Sequence, residues 1–268
     1  MTLNEISKKL AEAGIESSRY EAVLLVEEIC VCRADDDVDY TSEKLLSAVE
    51  MRCSRYPLQY IFGKWWFARC MFFVNESCLI PRADTELIVE IAMKRLPQNA
   101  RFADLCTGSG CIAIATLDLR PDIFADAFEL YPATLDLARK NAEYNKVSDR
   151  FTPFLGDVLD KNTLGDKKYD AIISNPPYIR SEVIPTLEKE VLTEPHAALD
   201  GGDDGLIFYR SIVENFGENL NEDGFFLFEI GYDQAEDLKK IADKSGYSCE
   251  IFKDLGGCDR AALLRPLS

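Results

Sequence analysis

The chain is predicted to be an α/β protein built on a mainly parallel sheet, with a small helical bundle ahead of it. Three observations predict this. From residue 101 onward, short apolar runs alternate with amphipathic segments of helical length, which is the pattern of repeated βα units. In residues 2–54 apolar residues instead recur at helical spacing. Between the two lies an aromatic, β-prone stretch over 59–80 that reads as a hairpin. The expected boundaries are a helical domain over 1–56, a hairpin linker over 57–80 and the α/β domain over 81–268.

The bundle is justified residue by residue. Leu3, Ile6, Leu10 and Ala13 share one helical face, and Gly14 ends that run. Ser17 or Ser18 is placed to cap a second helix bearing Ala22, Leu25, Val26 and Ile29. Asp35-Asp36-Asp37 marks a loop, and Ser42 is placed to cap a third helix through Leu45, Leu46 and Val49. Such a bundle serves either substrate recognition or stability, and its pattern does not choose between them. In the linker, Gln59–Gly63 and Trp65–Phe67 are expected to pair with Cys70–Val74. Asp84 or Thr85 then caps a helix whose apolar face is Ile88, Ile91, Ala92 and Leu96.

The α/β region follows. Arg101–Leu105 is a strand, Cys106-Thr107-Gly108-Ser109-Gly110 a turn of small residues, and Cys111–Leu119 a helix. A second strand over 123–128 ends at Glu129. Pro132 suits the first position of a helix reaching Tyr144. Strands are expected over 151–155, 169–174 and 224–230, then at 247–253 and 260–265, with helices over 204–220 and 233–244. In parallel sheets ligands bind beyond the carboxyl ends of the strands. Cys106–Gly110, Glu129, Asp157 and Asn175 all fall at such ends, so one rim collects four candidate segments.

Composition narrows the function. A formal charge of −17, from 47 acidic and 30 basic residues, disfavours a nucleic-acid substrate, whose phosphates are normally met by basic patches. It disfavours an anionic membrane surface on the same grounds. No stretch approaches ~20 apolar residues, and the first residues lack a signal-peptide pattern, so a cytoplasmic location is expected. The nine cysteines are irregularly spaced, no CxxC pair exists and His196 is the single histidine, so no metal site is expected.

The site residues point to a nucleoside ligand. Gly108 and Gly110 let a ligand approach backbone, and the helix that follows offers N–H groups at its positive end. Glu129, 21 residues after Gly108, is placed to accept from two ribose hydroxyls. The dinucleotide fingerprint fails, because Cys106 and Cys111 stand where it requires glycine. S-adenosylmethionine, which carries no phosphate, fits better. Asp157, followed by Val158, is placed to accept from an adenine amino group, although an Asp here also suits a turn. At Ser174-Asn175-Pro176-Pro177-Tyr178 an amide ends a strand, two prolines stiffen the loop, and a ring follows. That arrangement suits a flat, polar, uncharged group such as a carboxamide or a base amine.

Phe102–Gly110 resembles the first motif of S-adenosylmethionine-dependent methyltransferases, and Asn175-Pro176-Pro177-Tyr178 resembles the motif of those that methylate planar nitrogens. With Gln59–Gly63, Leu79–Glu86, Glu194–Gly202 and Asp254–Arg260, nearly the whole chain resembles the peptide chain release factor glutamine methyltransferases. The resemblance implies a seven-stranded Rossmann-like methyltransferase domain, a helical N-terminal domain and a linking β-hairpin. It implies methylation of the glutamine of the Gly-Gly-Gln motif in release factors, with S-adenosylhomocysteine as product. It also implies cofactor binding by Cys106, Thr107, Gly108, Ser109, Gly110, Glu129, Asp157, Val158 and Asn175, and catalysis by Asn175, Pro176, Pro177 and Tyr178. Four positions depart from the family pattern: Cys106 for glycine, Glu129 for Asp, Tyr131 for a capping residue and Ala83 for proline. Two other readings of the same residues are an adenine methyltransferase acting on DNA or RNA, and a non-catalytic sensor of an adenosine ligand.

Overall fold

A computed structural model describes residues 1–267, which divide into two compact units. The smaller comprises Met1–Lys64 together with Leu187–Thr193; the larger comprises Trp65–Thr186 and the residues from Glu194 onward.

The smaller unit holds α1 (Leu3–Glu12), α2 (Ser18–Cys30), α3 (Glu43–Cys53) and α4 (Leu58–Phe62). Thr2 and Glu5 form a reciprocal capping box at α1: the Glu5 N–H donates to Thr2 Oγ1 and the Thr2 N–H to Glu5 Oε2. Ser17 and Ser42 stand at the starts of α2 and α3 but make no side-chain cap bond. Leu3, Ile6, Leu10, Leu25, Val26, Leu45 and Val49 close a common core. Burying each such side chain contributes ~1.5–3 kcal/mol. Gln59–Phe62, expected as strand, lies in α4. Pro57 starts that helical turn and Gly63, at φ +66°, ends it, so these two override the β propensity of Tyr60 and Ile61.

Residues 187–193 belong to this unit through one ionic cluster. Arg52 is 6% exposed. Its Nε meets Glu21 Oε2 at 2.6 Å and its Nη1 meets Glu190 Oε1 at 2.9 Å, while Arg55 Nε reaches the same Glu190 oxygen at 2.7 Å.

A hairpin of β1 (Lys64–Phe67) and β2 (Cys70–Phe73) follows, all but Lys64 in the larger unit, and then α5 (Glu86–Arg95). Its sheet has β3 (Arg101–Leu105), β4 (Phe124–Glu129), β5 (Phe151–Leu155), β6 (Tyr169–Ser174), β7 (Leu220–Glu229), β8 (Tyr247–Lys253) and β9 (Asp259–Pro266). Its helices are α6 (Cys111–Leu119), α7 (Pro132–Tyr144), α8 (Ile207–Phe216) and α9 (Ala235–Lys244). The expected seven-stranded α/β architecture is present, in the order β5-β4-β3-β6-β7-β9-β8. β9 alone runs antiparallel to its neighbours β7 and β8. α8 is shorter than expected, because Gly205 at φ +74° holds the chain out of helix before Leu206.

Strand order reverses at β3: β4 and β5 lie on one side, β6 and β7 on the other. Ligands bind parallel sheets at such a switch point. The register aligns the strand ends. Leu105 lies beside Phe128 and Ser174, and Glu129 beside Leu155. Phe102, Ala103, Ile172, Ile173, Phe226 and Phe228 are fully buried, as strands covered on both faces must be. Among the described residues no helix is long and apolar enough to cross a membrane.

Candidate active site

The rim of the sheet opens on a cavity of about 380 Å³. Its wall includes Cys106, Thr107, Gly108, Ser109, Glu129, Asp157, Val158, Asn175 and Pro177, so nine of the sequence-predicted site residues meet there. Gly110, Pro176 and Tyr178 do not line it.

The glycine turn is built by backbone conformation. Gly108 and Gly110 take φ +56° and +82°. A Cβ on Gly110 would stand 2.8 Å from Ile114 Cδ1, whereas one on Gly108 would meet nothing nearer than the Cys106 carbonyl at 4.0 Å. Gly110 is therefore a packing requirement and Gly108 leaves backbone open to a ligand. Cys106 also lies in the left-handed region, at φ +56°, which costs a non-glycine residue ~1–2 kcal/mol. Its side chain packs on the main core.

Asp104 ties strand, turn and helix together: its Oδ2 accepts from Thr107 Oγ1 at 2.6 Å and from the Ala113 N–H at 3.3 Å. Burial pushes its carboxyl up to about 7, against the pull of those two bonds. Asn141 of α7 donates to the carbonyls of Ser109 and Phe73 and accepts from the Phe73 N–H, joining the turn to β2.

Glu129 has both oxygens engaged by backbone. Oε2 accepts from Gly108 N–H at 3.0 Å, and Oε1 accepts from the N–H groups of Leu130 and Tyr131. Burial raises its carboxyl pKa and these three donors pull it back. The bonds to Leu130 and Tyr131 satisfy backbone donors just ahead of α7, whose start carries no side-chain cap at Tyr131. Three donors use three of about four lone-pair positions, leaving one acceptor direction on Oε2.

Asp157 follows Gly156, where a Cβ would stand 2.6 Å from Thr163 Cγ2. Its Oδ1 accepts from the Leu159 N–H at 2.9 Å, an Asx turn, so the turn-forming role is real and coexists with a place on the wall. Val158 lines the cavity and belongs to the core.

The loop after β6 is held from several directions. Ser174 Oγ donates to the Leu105 carbonyl at 2.7 Å. Gln234 Nε2 donates to the carbonyls of Tyr178 and Gly205. A Cβ on Gly201 would lie 2.7 Å from Tyr178 Cα, and one on Gly205 would lie 2.5 Å from the Tyr178 carbonyl oxygen. The Pro177–Tyr178 backbone thus rests on glycines. Asn175 Nδ2 donates to Thr85 Oγ1 at 3.4 Å, and Thr85 Oγ1 donates to Glu229 Oε2 at 2.5 Å. Tyr178 sends its hydroxyl to Glu229 Oε1 at 3.2 Å, away from the cavity.

Sequence reasoning missed Thr85, Asn141, Glu194, Glu229 and Gln234 as parts of this site. Thr85 was expected as a cap; it makes no cap bond, because its hydroxyl is committed to Glu229. Glu194, buried, accepts from the Ile80 N–H and pairs with Arg82, joining two stretches of cavity wall. His196 is exposed at the wall and stands 3.8 Å from Asp200.

The residues fit an uncharged nucleoside with a charged tail. Ser109 Oγ is buried on the wall with no nitrogen or oxygen partner, and Gly108 leaves the backbone beside it open. Among the described residues no group of three or more His, Cys, Asp or Glu is placed to hold a metal ion.

Strand order, glycine turn and rim define an α/β methyltransferase, and residues 83–212 match the family model for the methyltransferase small domain. A methyltransferase from Pyrococcus furiosus shares the fold with a TM-score of 0.56 at 18% identity, over 72% of this chain and 87% of that one. Residues 2–63 match the PrmC N-terminal domain. The release factor glutamine methyltransferase of Geobacter sulfurreducens is 40% identical over 94% of this chain and 90% of its own length. That of Moorella thermoacetica is 35% identical over 97% and 96%. The chain belongs to the release factor glutamine methyltransferase family.

Proposed function

We propose that this enzyme transfers a methyl group from S-adenosylmethionine to the side-chain amide nitrogen of the Gly-Gly-Gln glutamine in peptide chain release factors. The observation that carries the reading is the placement of Asn175 on the same cavity wall as Gly108, Glu129 and Asp157. S-adenosylmethionine supplies a sulfonium methyl, an electrophile that needs no further activation. Glu129 would hold the ribose through its remaining acceptor direction, Asp157 the adenine amino group, and the turn at Thr107–Ser109 the charged tail.

A carboxamide nitrogen is a poor nucleophile, since its lone pair is delocalised into the carbonyl. Asn175 Oδ1 would accept one substrate N–H, and the carbonyl of Pro176, the next residue of that loop although not part of the cavity lining, would accept the other. Two acceptors fix the nitrogen and favour the charge-bearing transition state over the planar ground state. Aligning the reactants supplies ~7–11 kcal/mol by analogy with intramolecular reactions. The methylated amide cation is strongly acidic and releases its proton to water, so no dedicated base is needed. His196, exposed and beside Asp200, is not required as that base.

Incubation with methyl-labelled S-adenosylmethionine and either release factor or DNA tests the reading. Label in the release factor is expected. Label in DNA favours a base substrate, and no label in either favours a non-catalytic adenosine sensor. Glu129→Ala is expected to weaken S-adenosylmethionine binding by ~10–100-fold, the worth of a hydrogen bond to a charged group. Unchanged affinity by calorimetry removes Glu129 from the cofactor site.

A further inference from the structure

An asparagine amide offers an acceptor at one end and two donors at the other, in nearly the same shape. Asn175 serves as an acceptor only if its oxygen faces the substrate. Something in the protein must therefore choose between two orientations related by a 180° turn.

The residues behind Asn175 make that choice. Glu229 is 2% exposed and Thr85 is 1% exposed. Two hydroxyls converge on the carboxylate: Thr85 Oγ1 on Oε2 at 2.5 Å and the Tyr178 hydroxyl on Oε1 at 3.2 Å. An ionised carboxylate only accepts, and a threonine hydroxyl has a single proton. Once Thr85 gives that proton to Glu229, its oxygen can only accept from its other neighbour. That neighbour is Asn175, 3.4 Å away, which must present Nδ2 and turn Oδ1 the opposite way. We infer that Thr85 and Glu229 are positioning residues that orient the Asn175 amide with its oxygen towards the substrate nitrogen. Burial raises the Glu229 pKa, and Thr85, Arg260 and Tyr178 oppose it by favouring the charged form that the ordering requires. The reversed amide would set a donor against the substrate NH₂, so the relay also selects amide nitrogen over an acceptor atom.

The inference rests on the proposed transfer to glutamine, and the test separates the two. Thr85→Val keeps the shape and removes the hydroxyl. Thr85→Ser keeps the hydroxyl, and Thr85→Ala differs from Thr85→Ser by that one atom. Each is assayed with release factor as methyl acceptor, beside S-adenosylmethionine affinity and Tm. Thr85→Val and Thr85→Ala are expected to lower kcat by ~10–100-fold, with KM for the release factor and cofactor affinity within ~3-fold of wild type. Thr85→Ser is expected to stay within ~3-fold of wild-type kcat. If Thr85→Val does not fold, the Ser and Ala pair is compared below both of their Tm values. Equal kcat for Ser and Ala, or a cofactor-affinity loss that matches the kcat loss, overturns the relay while leaving transfer to glutamine standing. A wild-type protein that leaves the release factor unmethylated overturns both.

Discussion

Asn175→Ala abolishes methyl transfer, lowering kcat by ~10²–10³-fold or more, and leaves S-adenosylmethionine affinity within ~3-fold of wild type. The asymmetry follows from what Asn175 touches. Its backbone is fixed by the end of β6 and by Pro176, and the loop beyond is held by Gln234, Gly201 and Gly205. Removing the amide therefore leaves the wall standing. The loss falls on the acceptor that the nucleophilic nitrogen needs in the transition state, while Gly108, Glu129 and Asp157 keep their places. Truncation also leaves Thr85 Oγ1 without its donor. Single-turnover rates and calorimetric titration check the two halves separately. Equal loss of rate and affinity means that Asn175 shapes the cofactor site instead.

Arg52→Ala destabilises the smaller unit by ~3–5 kcal/mol, the usual result of leaving buried charge uncompensated. Arg52 faces Glu21 on one side and Glu190 on the other, and these carboxylates are 13% and 19% exposed. Without the guanidinium, Glu21 loses its ion-pair partner, Glu190 keeps only Arg55, and residues 187–193 lose one of their two ionic ties to this unit. Burial pushes the Glu190 carboxyl up, but bonds to Arg52 and Arg55 outweigh it and hold it below its ordinary value. Its folded pKa is depressed, so its contribution is present above the unfolded value of 4.5 and fades as pH falls through the folded one. Urea titration of the full chain is expected to show the wild-type advantage over Arg52→Ala at pH 7 and a smaller gap near pH 4. A constant gap across that range means that packing of the arginine stem, not its charge, carries the effect.

The parts of the site legible in the sequence are those that sit at strand ends. Apolar runs locate β3, β4, β5 and β6, and parallel geometry brings whatever follows them to one rim. That is why Cys106–Gly110, Glu129, Asp157 and Asn175 group from sequence alone, although Gly110 does not line the cavity. Glu229 and Thr85 do not. Each is a single polar residue whose meaning depends on a partner more than 90 positions away, and Thr85 has a local alternative as a helix cap that satisfies every sequence rule. Glu194 is hidden for the same reason, and Gln234 because the carbonyls it holds lie 56 and 29 positions away. Residues 59–62 misled because aromatic content suggests strand, while the bracketing Pro57 and Gly63 leave room for only one helical turn. Residues 187–193 show no periodicity at all, and only the charges on Arg52, Arg55 and Glu190 explain their place. Glu129, whose spacing suggests a ribose acceptor, anchors two backbone segments, a duty that spacing cannot reveal.

The central claim is that the acceptor wall at Asn175 serves a glutamine side chain. Tandem mass spectrometry of release factor treated with the enzyme and S-adenosylmethionine tests it most directly. A mass increase of ~14 Da, one methyl replacing one amide hydrogen, confined to the Gly-Gly-Gln glutamine and absent with Asn175→Ala, is the predicted result. The same increase on any other residue, or on that glutamine with Asn175→Ala at the wild-type rate, contradicts it.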